Sequence, residues 1–202
     1  MIKRKLIKEY KVVEFDNNIN DLLEFEWSSV EEKRKYMTTL ASEIGWIIIE
    51  FSSLENKLDS ILNFYLVETS KNKEIIYFLL SKKRFSEKID LFSNLLKINY
   101  SRNSENYDKL IPNFENELNS IVNNLKEASQ IRNKYAHSIW SNTSGSKHVE
   151  SQTKISRNGI EKVYMKFDYQ DLDTDFNNLF DIGTYLSSFN EKILDSLLNE
   201  DK

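Results

Sequence analysis

The stretch LASEIGWIIIEFSSLENKLDSILNFY, residues 40–65, decides the fold class. Its apolar residues recur at spacings of three and four throughout: Leu40, Ile44, Ile47, Phe51, Leu54, Leu58, Ile61 and Tyr65. On a helix with 3.6 residues per turn, this spacing lines the side chains up in one stripe. The pattern predicts a long helix from about Val30 to Glu68 that packs against other helices through the stripe.

The composition favours the same class. Only four glycines and one proline occur in 202 residues, whereas a β-sandwich needs many turns and a doubly wound α/β fold needs glycine-rich loops. The chain has no cysteine, which excludes disulfides, thiolate zinc sites and cysteine nucleophiles. Two histidines, His137 and His148, argue against a zinc site, so we expect neither a metal nor a cofactor.

A second helical region is predicted over residues 73–100, and the SKKR run at 81–84 is a point where it can kink or split. Its apolar face consists of Phe85, Ile89, Phe92 and Leu96. The polar residues 101–112 are predicted to be a loop. The KKR part of the run can be interpreted as a phosphate contact or, preferably, as a solvated connector.

A third long helix is predicted over residues 113–140. Its stripe consists of Leu118, Ile121, Leu125, Ala128, Arg132, Tyr135 and Ile139. One member of this apolar seam is an arginine. Its guanidinium group needs a carboxylate, a phosphate or a wet interface, because an unpaired buried charge is costly.

The period changes after this helix. Alternating apolar residues and the Asn158-Gly159 turn signal predict a β-hairpin over residues 148–168. A last helix is expected over about 172–198, its start capped and charged by the acidic run at 171–175. That run lacks the glycine and glutamate that a calcium loop requires.

The predicted fold is therefore mainly α, a bundle of four to five long helices with a β-hairpin inserted before the last helix. No linker rich in glycine or serine divides the chain, so residues 1–202 are predicted to be one domain with residues 1–30 as an N-terminal arm. The longest apolar run, residues 45–49, is too short to span a bilayer, and no signal-peptide pattern is present. We expect a cytoplasmic protein with no membrane partner.

The segment QIRNKYAHSIW, residues 130–140, carries side chains suited to phosphate chemistry. Asn133 and His137 are four residues apart, so on a helix they share a face and can converge on one ligand. Arg132 and His137 are five apart, about 140° around the helix axis. A single copy would separate them, whereas two helices that met across a twofold axis would place each arginine beside the other copy's histidine.

These residue types suffice to cleave RNA with its own 2′-hydroxyl as nucleophile and without a metal. Histidine exchanges a proton near neutrality, and arginine matches the charge of a pentavalent phosphorane. Asparagine can orient the imidazole or a ribose hydroxyl. The spacing also arises by chance, and the helix dipole stabilises a histidine at a helix C-terminus, so a structural role stays open.

RNKYAH at 132–137 resembles the motif of the HEPN superfamily (higher eukaryotes and prokaryotes nucleotide-binding domain), in which Arg, often followed by Asn, precedes His near the end of a long helix. IGWIIIEFSSLENKLDSIL at 44–62 is similar to that family's first long helix. The resemblance covers roughly residues 40–140 and the closing helix. It implies a helical bundle that dimerises with the two motif helices juxtaposed. The usual activity of the family is metal-independent endoribonuclease, in toxins, abortive-infection proteins and other antiviral systems.

The resemblance also implies roles for individual residues. Arg132 would bind and stabilise the scissile phosphate, His137 would be the general acid and base, and Asn133 would orient one of them. Lys134 and Tyr135 lie inside the motif and are supporting candidates.

Two further positions bear on this resemblance. From its place in the stripe, Glu55 is the candidate partner for holding Arg132, with Glu50 as second choice. A subgroup of the family carries a tyrosine two residues after the histidine as a modification target, and this position is Ile139 here. Regulation by tyrosine modification is therefore not expected.

Three functions stay open at this point. The leading one is a homodimeric endoribonuclease that cleaves RNA and has a partner protein such as an antitoxin. A catalytically inactive module would instead bind a nucleotide, RNA or a partner protein, and a plain structural bundle would pair Arg132 internally. The net charge of −4 does not exclude RNA, because residues 168–202 carry −7 and leave +3 on the rest of the chain.

Overall fold

The computed structural model describes residues 29–67, 73–137, 139–144, 147–156, 159–167 and 169–198, the strand ranges by their backbone alone. Within these ranges the chain forms six helices: α1 (Val30–Val67), α2 (Lys73–Ser81), α3 (Phe85–Arg102), α4 (Ser104–Leu110), α5 (Phe114–His137) and α6 (Tyr169–Leu198). The mainly α prediction is confirmed. The predicted N-terminal arm lies outside the described residues up to position 28, so its prediction stays a prediction.

The chain divides into two compact units. The strand unit consists of the described residues up to Gly45 together with residues 133–174. The helical unit consists of residues 46–132 and of α6 from Asp175 onwards. Helices α1, α5 and α6 each run through a boundary between the units. That residues 1–202 form one domain stays a prediction.

The helical unit is built around the predicted stripes. The stripe of α1 is buried from Ile47 to Tyr65, and so are all four residues of the predicted α3 face. Phe51 on α1 meets Phe85 on α3 edge to face, with ring centroids 4.8 Å apart. Each large apolar side chain removed from water contributes roughly 1.5–3 kcal/mol, and this burial holds the helices together.

The SKKR run splits the second helical region, as predicted. Helix α2 ends at Ser81 and α3 begins at Phe85. The backbone N–H of Arg84 donates to Oε2 of Glu87 at 2.8 Å, which satisfies a donor that the first turn of α3 would leave unpaired.

The predicted loop over residues 101–112 is wrong, because α3 continues to Arg102 and α4 follows. The reason is an aromatic cluster that the polar composition conceals. Tyr107 on α4 is buried, and its ring centroid lies 5.1 Å from that of Phe114 at the start of α5. Tyr100 stacks on the same phenylalanine at 4.5 Å. Burial of these rings stabilises a short helix in a segment whose local propensity alone would favour a loop.

Three antiparallel strands are assigned between α5 and α6: β1 (Ile139–Ser144), β2 (Lys147–Ser156) and β3 (Gly159–Phe167), in the order β1-β2-β3. The register of β2 and β3 runs from His148 opposite Phe167 to Ser156 opposite Gly159. Asn158 of the predicted turn lies outside the described residues. That the β-hairpin is an insertion into a helical body stays a prediction.

The last helix begins earlier than expected, at Tyr169, so Asp171 lies in its first turn while Asp173 and Asp175 lie beyond it. No helix in the described ranges combines the length and the apolar character that crossing a membrane requires.

Candidate functional site

Helix α5 carries the RNKYAH motif in its last two turns. Asn113 precedes the helix with φ of 61°, a left-handed conformation that asparagine tolerates, and its carbonyl accepts the backbone N–H of Asn116 at 2.9 Å. Acidic residues lie in the first turn, and Lys134 and His137 lie in the last. Both ends therefore complement the helix dipole.

The buried ridge of α5 differs from the predicted stripe at one position. After Ala128 it continues through Ile131 to Tyr135, and Arg132 is half-buried beside it. The prediction that Arg132 occupies the apolar seam is wrong. The ridge passes from Ala128 to Ile131, a step of three residues, and not to Arg132, a step of four. The apolar isoleucine is therefore buried, and the guanidinium group of Arg132 stays partly in water, which lowers the cost of desolvating it. The helix also ends at His137, so Ile139 belongs to β1.

Arg132 is positioned by an aromatic side chain of α1. Its guanidinium carbon lies 6.0 Å from the centre of the Phe51 ring. Phe51 is itself buried and fixed edge to face against Phe85. A cation over an aromatic face is stabilised by about 0.5–2 kcal/mol, so the ring offsets part of the cost of holding Arg132 half out of water.

Asn133 and His137 are both exposed, and both belong to the strand unit. Four residues apart on one helix, they share a face as predicted. The boundary between the units falls between Arg132 and Asn133, and α5 is continuous across it. Asn133 and His137 are thus exposed residues at the end of the helix that also carries the arginine.

The two supporting candidates inside the motif have different environments. Tyr135 is 2% exposed and is a core residue. Lys134 is half-buried, and its Nζ lies 4.9 Å from the centre of the Tyr135 ring. Burial of Tyr135 therefore fixes this turn of the helix, whereas Lys134 adds a positive charge within the motif.

Glu55, the predicted partner of Arg132, takes part in a different ion pair. Its Oε1 accepts a hydrogen bond from Nζ of Lys88 at 2.8 Å, and the same ammonium donates to Oδ2 of Asp59 at 2.7 Å. Burial alone would lower the pKa of Lys88, but the two carboxylates outweigh it and raise that pKa. The pairing of Arg132 with Glu55 or Glu50 stays a prediction.

Sequence reasoning missed the role of Lys88. The signal was present, because Lys88 lies three residues after Phe85 and four before Phe92, and therefore on the apolar face of α3. Glu55 and Asp59, four apart on α1, are the matching carboxylates.

A groove of about 760 Å³ lies between α1 and α6 within the helical unit. Short polar side chains make up much of its lining, among them Ser52, Asn56, Ser60, Ser187 and Asn190. None of the three motif residues lines it. In the part of the chain that the structure describes, no three histidine, aspartate or glutamate side chains come together to hold a metal ion.

The chain was compared with models of protein families, with curated proteins and with solved structures, and none of them matches it. Function is therefore inferred from the motif residues and from the environment that α1 and α5 provide for them.

Proposed function

We propose that this chain is a metal-independent endoribonuclease that acts as a homodimer, with Arg132, Asn133 and His137 of the two copies forming the active site. The observation that carries the proposal is the exposure of Asn133 and His137 on one face at the end of α5, directly after an arginine positioned by Phe51. The resemblance of RNKYAH to the HEPN motif supports the same assignment.

The proposed reaction is an internal transesterification of RNA. His137 accepts the proton of a 2′-hydroxyl, and the 2′-oxygen forms a bond to the adjacent phosphorus. The bond from phosphorus to the 5′-oxygen breaks, and the departing oxygen takes up a proton from a histidine acting as acid. The products are a 2′,3′-cyclic phosphate and a 5′-hydroxyl, so protons and bonds balance without a metal.

Arg132 stabilises the extra negative charge of the pentavalent phosphorane in this scheme. A guanidinium group suits this role because its planar set of donors matches phosphate oxygens. Arg132 and His137 are about 140° apart around one helix, so a twofold axis that brings two α5 helices together supplies each phosphate with both groups. Asn133 orients the imidazole or the ribose hydroxyl.

The proposal extends to the biological setting. The protein would be a cytoplasmic toxin or antiphage component, held in check by a partner protein such as an antitoxin, with the β-hairpin as an insertion before α6. Lys134 adds positive charge beside the site, and Glu55 or Glu50 would hold Arg132 in the dimer. The toxin or antiphage role and the partner protein rest on the family resemblance, whereas the glutamate partner rests on its place in the α1 stripe.

The test is RNA cleavage by the purified protein in EDTA, with total cellular RNA and defined single-stranded and structured RNAs as substrates. We expect cleavage by wild type, and a loss of at least about a hundredfold for His137→Ala and Arg132→Ala. His148→Ala removes the only other histidine of the chain and is the matched control, with activity unchanged. Product ends are identified by their 2′,3′-cyclic phosphates.

Two results would contradict the proposal. Equal cleavage by wild type and His137→Ala would identify a contaminating nuclease, and a 3′-hydroxyl product would indicate metal-dependent chemistry. Wild-type protein that binds RNA through Arg132 without cleaving any substrate would instead identify the inactive binding module.

A further inference from the structure

Helix α2 exposes an apolar surface that nothing in the proposed reaction uses. Four of its nine residues are large, apolar and more than half exposed: Ile75 at 55%, Tyr77 at 65%, Phe78 at 60% and Leu79 at 54%. A helix that is apolar on its outer face as well as its inner one is normally covered. Leu80 is buried on the inner side, so the exposed face is available while the helix stays anchored.

One line along this face has a particular order of charges. Glu74, Phe78 and Lys82 follow one another at intervals of four residues, and all three are exposed. The turn continues past the end of α2, since the backbone N–H of Lys82 donates to the carbonyl of Leu79 at 3.3 Å. Nζ of Lys82 lies 5.5 Å from the centre of the Phe78 ring. The line therefore runs from an acid through an aromatic ring to a cation.

This order is complementary to itself in the antiparallel direction. If two copies of α2 cross at Phe78 on a twofold axis, Glu74 of each copy lies opposite Lys82 of the other. Both charge pairs are then attractive, and the helix dipoles are antiparallel. An anionic lipid surface or an acidic protein partner would repel Glu74 at one end of this line, whereas a second copy attracts the charges at both ends.

We infer that α2 is a self-association surface, and that its occupant is α2 of a second copy of this chain, packed antiparallel about Phe78. None of the α2 residues belongs to the RNKYAH motif, so the inference holds whether or not the chain cleaves RNA. It adds a contact between copies on a helix other than α5.

Sedimentation velocity over a concentration series measures the association. Wild type is expected to form dimers through α2, or larger assemblies where α5 also pairs two copies. Phe78→Asp removes the α2 contact and raises its Kd at least about tenfold, because a charge replaces the central aromatic contact. Ile98→Asp makes a similar apolar-to-acid change at an exposed position of α3, outside this surface, and serves as the control with an unchanged Kd. Circular dichroism checks that each variant is folded, as expected for changes at exposed positions.

Charge reversal makes the test specific for a second copy. Glu74→Lys and Lys82→Glu each turn two attractions into repulsions and raise Kd about three- to tenfold at low salt. The double variant restores the wild-type Kd, since the swapped charges again face each other. Mixing the two single variants produces a heterodimer, because both of its charge pairs are attractive.

Three outcomes would overturn the inference: a wild type that stays monomeric, a dimer indifferent to Phe78→Asp, or a double variant as weak as the single ones. A fixed acidic partner or a lipid surface would give the last of these, because neither changes its charge with α2. A dimer indifferent to Phe78→Asp that still cleaves RNA through His137 would reject the α2 contact and leave the proposed function intact.

Discussion

The ammonium nitrogen of Lys88 on α3 lies 2.7 Å from Oδ2 of Asp59 on α1. Lys88 is 3% exposed, and no other charged residue is as deeply buried in the part of the chain whose side chains are described. Glu55, one turn before Asp59, accepts a second hydrogen bond from the same ammonium. A buried cation is tolerated only when such partners replace its lost hydration, so this cluster ties the two helices together at a defined register.

Replacing Lys88 by a neutral residue should therefore destabilise the fold. We expect Lys88→Met to lower the free energy of unfolding by about 3 kcal/mol, because two partly buried carboxylates lose their counter-charge. Lys97→Met, at an exposed position of the same helix, is the control and should change it by less than about 0.5 kcal/mol. Urea denaturation followed by circular dichroism measures both values.

A third variant separates the charge from the packing. Neutralising all three groups with Lys88→Met, Glu55→Gln and Asp59→Asn should recover more than half of the loss, since no unpaired charge remains. Recovery of nothing would show that unpaired charge is not the source of the loss.

Stability should fall at alkaline pH. Burial alone would lower the pKa of Lys88, but Asp59 and Glu55 together outweigh burial and raise that pKa above its ordinary 10.5. The pKa of Tyr185 is raised above 10.0, first by burial and then by the hydrogen bond that it donates to Glu117. In both cases the folded protein holds a proton more tightly than the unfolded chain does, so the stabilisation is complete below the unfolded pKa and is lost as pH rises above about 10.

The measurement is urea denaturation between about pH 8 and pH 11. The free energy of unfolding of wild type should stay constant up to about pH 9.5 and then decline. The free energy of unfolding of Lys88→Met and of Tyr185→Phe should each decline less steeply, because each variant lacks one group whose pKa the fold raises. A decline identical in all three proteins would trace the alkaline effect to other residues.

Gly183 of α6 offers a stabilising substitution. It is buried within a helix, where glycine costs about 1 kcal/mol relative to alanine. A Cβ atom there would lie 3.1 Å from Nζ of Lys57, the far end of a flexible side chain that can move by the required few tenths of an ångström. Gly183→Ala should raise the free energy of unfolding by about 0.5 kcal/mol, less than the full propensity difference.

Gly45 of α1 is the matched control, because a Cβ atom there would have nothing within 4 Å. Gly45→Ala should therefore bring the full gain of about 1 kcal/mol. Thermal denaturation of the two variants compares them directly, and a destabilised Gly183→Ala would mean that Lys57 is held in place.

Neighbouring residues of α5 should separate stability from activity. Ile131 is 7% exposed, and Ile131→Ala should cost about 2–4 kcal/mol of folding free energy through the cavity that it leaves. Arg132 is half-buried, so Arg132→Ala should cost about 1 kcal/mol while abolishing RNA cleavage. A loss of several kcal/mol at Arg132 with unchanged RNA chemistry would support the plain structural bundle.

Regular spacing made the helices predictable. Apolar side chains leave water when the chain folds, and their spacing in the sequence shows which helix face they occupy. This was enough to predict the buried stripe from Ile47 to Tyr65 and the buried face of α3. The motif residues Asn133 and His137 could likewise be placed on one helix face from their separation alone.

Local composition misled where burial overrode it. Residues 101–112 look like a loop because they are polar, yet Tyr107 and Ile111 are buried and draw the segment into α4. The spacing also could not predict whether Ile131 or Arg132 lies in the buried ridge of α5, because steps of three and of four residues both fit a helical stripe.

The sequence by itself determined that the protein is mainly helical, which faces of its long helices are apolar, and that Arg132, Asn133 and His137 share one helix. Those properties follow from the chemistry and spacing of residues near one another in the chain. Only the tertiary structure decided that Lys88 is buried between Glu55 and Asp59, that Phe51 positions Arg132, and that the outer face of α2 is exposed. The physical reason is that burial and charge pairing depend on groups brought together from distant parts of the chain.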